Sequence, residues 1–67
     1  MTTAQLSARM QQVADQLPTS RLIEAVRFMG GAMLPPAENM TRAALLKAYQ
    51  NREGDDAVDT LMDEIGL

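Results

Sequence analysis

The chain has no cysteine, no histidine and no tryptophan, and only one tyrosine and one phenylalanine among its 67 residues. Each absence removes a class of chemistry. Without cysteine there is no disulfide, no thiolate nucleophile and no zinc–thiolate site. Without histidine the commonest proton shuttle and the commonest divalent-metal ligand are both missing. No glycine-rich phosphate loop is present, since Gly30-Gly31 lacks the lysine and the spacing of such a cradle. The carboxylates do not follow the ligand order of an EF-hand. These gaps predict a protein that is not an enzyme and holds no metal or cofactor. Nor does any segment approach the ~18 consecutive apolar residues of a membrane span. The start, Met1-Thr2-Thr3-Ala4-Gln5, lacks the basic and apolar regions of a secretory signal. The expected setting is a bacterial or phage cytoplasm, with no membrane partner.

What is present reads as helix throughout. Thr2 and Gln5 stand at capping-box spacing. Leu6, Met10, Val13 and Leu17 then fall on one stripe of a helix over about 3–16. Pro18 interrupts it and suits the first turn of the next helix, for which Thr19 and Ser20 are alternative caps. That helix, 18 or 20 to 29, carries Leu22, Ile23, Val26 and Met29, with Phe28 widening the stripe. Gly30-Gly31 ends it. The connector Ala32-Met33-Leu34-Pro35-Pro36 is apolar enough to predict packing against something. A third helix begins near Pro36 or Asn39 and runs over about 38–52, rich in strong helix formers. Leu45, Ala48 and Tyr49 share a face with Thr41 and Arg52. Gly54 stops it, and a short fourth helix over 55–65 is capped by Asp55 or Asp56. No stretch alternates with period two. The fold class is therefore all-α: a single domain, a small bundle of three to four short helices.

A domain this small buries only ~60% of the surface its unfolded chain exposes, and small folds commonly add a disulfide, a metal or another chain. With the first two excluded, self-association as a homodimer or a tight complex is the expected supplement.

Charge is divided unevenly. Residues 1–52 hold all six bases (Arg9, Arg21, Arg27, Arg42, Lys47 and Arg52) and three acids (Asp15, Glu24 and Glu38). Residues 53–67 hold six acids (Glu53, Asp55, Asp56, Asp59, Asp63 and Glu64) and no base. Asp55, Asp59 and Asp63 recur at i, i+4 and i+8, where each like-charged pair destabilises a helix by ~0.2–0.5 kcal/mol. Asp63 and Glu64 also sit at the unfavourable end of the helix dipole. The bland reading is a solvated face; the functional one is a face matched by basic groups on a partner. The apolar stripe of the same helix, Val58, Leu61, Met62 and Ile65, leaves a parallel choice. It completes the core, or it detaches and inserts into a groove on a partner protein. Under the partner reading, Asp55, Val58, Asp59, Leu61, Met62, Asp63 and Ile65 form the binding face.

The rival reading is a dimeric DNA-binding regulator that uses Arg21, Arg27, Arg42, Lys47 and Arg52 on the second and third helices against phosphates. Its linker is longer than the 3–4-residue turn of a helix-turn-helix. The chain's pI of 4.6 also disfavours nucleic acid.

Two pieces resemble a known family. Leu17-Pro18, Leu22, Glu24-Ala25-Val26 and Phe28-Met29 are similar to the Leu-Pro…Glu-Val…Phe helix of some short bacterial antitoxins. The segment from Asp55 to Leu67 resembles the acidic amphipathic tails of RelB-like and VapB-like antitoxins, which clasp a basic toxin. Together they cover under half of the chain. The strand of a ribbon-helix-helix DNA-binding half is missing. The resemblance implies a regulator or inhibitor whose acidic last helix covers a basic protein, a toxin or, for a phage or plasmid inhibitor, a host protein.

Overall fold

A computed structural model describes residues 2–67 and contains four helices: α1 (Thr3–Gln16), α2 (Thr19–Met29), α3 (Pro36–Glu53) and α4 (Asp55–Ile65). No strand occurs among the described residues, and the helices form a small all-α bundle. α1 starts in a complete capping box. The Thr2 N–H donates to Gln5 Oε1 at 2.9 Å, and the Gln5 N–H donates to Thr2 Oγ1 at 3.1 Å. Of the other starts, those of α2 and α4 differ from the sequence expectation, and α3 takes the first of the two it allowed. Neither Thr19 nor Ser20 caps α2, and Pro18 takes the cap position without a side-chain hydrogen bond. α3 begins at Pro36, where a missing N–H costs nothing, rather than at Asn39. Asp55 and Asp56 are the first helical residues of α4 and not its caps.

α3 is the longest helix and the centre of the bundle. α1, α2 and α4 each pack on it, whereas α1 and α2 barely touch one another. Leu22 and Val26 of α2 and Ala48 of α3 are almost wholly enclosed, together with Ala14, Ala44, Leu45 and Leu61. Small residues on α3 let its neighbours approach closely.

Two arginines hold the frame. Arg42 is buried, and its guanidinium donates to the carbonyls of Gly30 and Ala32, both at 2.8 Å, and to Asn39 Oδ1 at 3.0 Å. It thereby satisfies the loop that leaves α2. Arg52 donates to the carbonyls of Ala14 and Asp15 and to Thr19 Oγ1. α1 has no basic residue in its own last turn, so a side chain from α3 serves the carbonyls at its end, that of Ala14 shared with the Leu17 N–H. The apolar connector after α2 packs only in part, since Met33 is 99% exposed while Leu34 is half-buried. Arg42 secures that loop through its backbone.

Two glycines are dictated by the geometry. Gly54 alone joins α3 to α4 with φ +93° and ψ 174°, a region closed to side chains. Gly31 lies flat against the backbone of Ile65 and Gly66, where a Cβ would collide with main-chain atoms.

Candidate functional site

The acidic helix is docked. Val58 and Leu61 are buried in the chain's own interior, Ile65 packs against the core, and Met62 is half-buried. Of the two roles left open for that stripe, the folded chain uses it as core. Three further contacts fasten α4. At its start, Gln50 Nε2 donates to Asp55 Oδ1 at 2.6 Å, bridging the Gly54 joint. At its end, Arg27 grips Glu64 in a two-pronged pair, Nε to Oε2 at 2.7 Å and Nη2 to Oε1 at 3.1 Å. Beside that pair, the backbone after Ile65 rests on Gly31. The hydrogen bond from Arg27, and then its charge, holds the Glu64 carboxyl below its ordinary range; the same bond raises the Arg27 guanidinium further.

The remaining carboxylates of α4 point outward. Asp55, Asp56, Asp59 and Asp63 are exposed, and none of them is within ion-pair distance of a base among the described residues. This is the part of the sequence-predicted face that the fold leaves accessible. Val58 and Leu61 are the part it withdraws. Among the described residues no group of three or more acidic side chains gathers closely enough to hold a metal ion.

The basic residues considered for phosphate contact are scattered and mostly engaged. Arg42 and Arg52 serve loop and helix-end carbonyls, Arg27 holds Glu64, and Arg21 lies 3.5 Å from Glu24. Lys47 is exposed and makes no hydrogen bond or ion pair among the described residues. With Arg42 buried, the five do not all reach the surface.

A second surface was not singled out by sequence. Because α1 and α2 lie on α3 without closing on each other, an open apolar groove runs between them. Leu6, Met10 and Val13 form its α1 wall, and Ala25, Phe28 and Met29 its α2 wall. Thr41, Ala44 and Leu45 of α3 form the floor, and Leu17 marks the apex where the helices join. It comprises two adjoining hollows of ≈ 500 Å³ and ≈ 460 Å³ that share Leu17, Ala25, Thr41 and Leu45. Phe28 is 92% exposed and Val13 61% exposed on the two lips. The available signal was Phe28, which makes the apolar arc of α2 too broad for one neighbouring helix to cover.

No protein family, curated protein or solved structure matches this chain. Among the described residues, no helix is long and apolar enough to cross a membrane.

Proposed function

We propose that this chain is a small non-enzymatic regulator that binds and inhibits a protein partner, presenting the outer face of α4 to a basic surface. One observation carries the reading. Asp55, Asp59 and Asp63 stack along the exposed side of a docked helix with no basic neighbour among the described residues, while Arg27, Arg42 and Arg52 are engaged with other groups. Repulsion along that face costs a few tenths of a kcal/mol per pair in the free protein, and a cationic partner relieves it. Val58 and Leu61 then act as anchors that hold the face rigid rather than as groups that enter the partner. Charge presented this way raises the association rate and selects the partner more than it adds affinity.

The experiment is purification of the full chain from native cells, with quantitative mass spectrometry of co-eluting proteins, beside the double variant Asp59→Lys, Asp63→Lys. A basic protein is expected to accompany the parent chain, to be depleted at least about tenfold with the variant, and to elute as salt rises from about 0.1 to about 0.5 M. Helical circular dichroism stays intact, since both positions are exposed. An unchanged set of co-eluting proteins would refute the proposal. So would duplex DNA bound with a steep salt slope as the main ligand, which is the nucleic-acid alternative.

A further inference from the structure

We infer that the groove between α1 and α2 is the interface of a homodimer, with the groove of one copy facing that of the other and lip set against lip. This surface is distinct from the acidic face of α4 and stands independently of the function proposed above.

The first argument is exposure. The chain presents 4523 Å² to solvent, above the roughly 4,200 Å² of a compact protein of its mass. Of the five large apolar side chains that stay exposed among the described residues, three, Leu6, Val13 and Phe28, line this groove, while Met33 and Leu67 lie outside it. With no disulfide available, burying these side chains against another chain is the remaining route to stability.

The second argument is charge. A surface that meets a copy of itself must not repel itself. The groove carries Arg9 on the α1 side and the adjacent Arg21 and Glu24 on the α2 side, close to neutrality for a chain of net charge −3. The acids of residues 53–67 lie beyond α2, on the α4 side. A two-fold axis running along the groove sets the α1 lip of one copy against the α2 lip of the other. Arg9 then opposes the side that bears Glu24, and the acidic helices stay on the outside. An acidic foreign helix would find only Arg9 unpaired in the groove, so the near-neutral surface favours a second copy.

The third argument is area. Overall extents of 33 × 25 × 18 Å cap any one face near the ~800 Å² that each partner gives a standard interface, so the groove side buries less than that and the dimer expected is a weak one.

Sedimentation equilibrium of the full chain from about 1 µM to about 1 mM tests this, the range bracketing the affinity expected for such an area. A monomer–dimer equilibrium is expected. Phe28→Asp and Val13→Asp should each raise the dissociation constant by about 30-fold or more, as removal of a central apolar contact does. Both positions are exposed, so helical circular dichroism should not change. Asp59→Lys with Asp63→Lys should leave the dimer intact, which separates this result from the partner assay on α4. A chain that stays monomeric at about 1 mM, or a dimer indifferent to both groove variants, would overturn the inference. The second outcome would point to exchange of α4 between copies, and the first to a foreign helix in the groove.

Discussion

α1 and α4 are both short amphipathic helices packed on the same central helix, yet they end differently. α4 settles against α3 while its far end reaches Arg27 of α2 and Gly31, so Val58 and Leu61 disappear from solvent. α1 packs on α3 and barely reaches α2. Its stripe of Leu6, Met10, Val13 and Leu17 is covered along one edge and open along the other. An amphipathic pattern therefore states that a helix needs a neighbour. The number of neighbours in reach decides whether the need is met within one chain.

The largest expected effect sets the two stripes side by side. Leu61→Ala should cost about 2–5 kcal/mol, close to the whole stability of a domain this small, whereas Val13→Ala should stay within about 0.5 kcal/mol in the monomer. Urea unfolding at low protein concentration compares them directly, and equal costs would break the contrast between sealed and open stripes. A smaller effect concerns the frame both helices share. Arg42→Met keeps the apolar stem but strips the donors from the Gly30 and Ala32 carbonyls, at an expected cost of about 1–3 kcal/mol, while Lys47→Met on the exposed side of the same helix should be nearly silent. Thermal unfolding of the two variants decides whether the buried guanidinium has this role.

The smallest effect is the ion pair that ties α4 to α2. The Glu64 carboxyl titrates lower in the folded chain than when unfolded, so the stability it adds is present above the ordinary carboxylate range. That contribution fades as pH falls through the lowered value. Arg27 stays charged throughout this window. Both side chains are about half exposed, at 59% and 49%, so the contribution is modest and weakened by salt. Glu64→Gln should flatten the acid limb of a stability–pH curve slightly; a limb that does not move would show that the apolar stripe alone holds α4.

Much of the fold was legible along the chain. The bounds of α1 and α4, the Thr2–Gln5 box and the stop at Gly54 follow from local rules: capping geometry, 3.6-residue periodicity and the conformational freedom of glycine. Arg42 was less legible. It stands three residues before Leu45, on the apolar side of α3, and an arginine in such a place is as readily read as a phosphate ligand as a loop staple. Only the position of the Gly30–Ala32 carbonyls tells the two apart. The α4 carboxylates were legible as a charged face, but nothing local reveals whether the stripe behind them belongs to this chain or to another.

Sequence by itself determined four helices, their lengths to within a turn, an acidic end, and a side-chain repertoire short of the usual groups for catalysis and metal binding. Those properties depend on neighbours a few residues apart. The tertiary structure decided that α4 closes the core, that Arg42 is buried and Arg52 turns to the end of α1, and that α1 and α2 stand apart over Ala44 and Leu45. These outcomes depend on which helices reach which faces of α3. That is set by packing distances and loop lengths acting together across the chain, which no local pattern records.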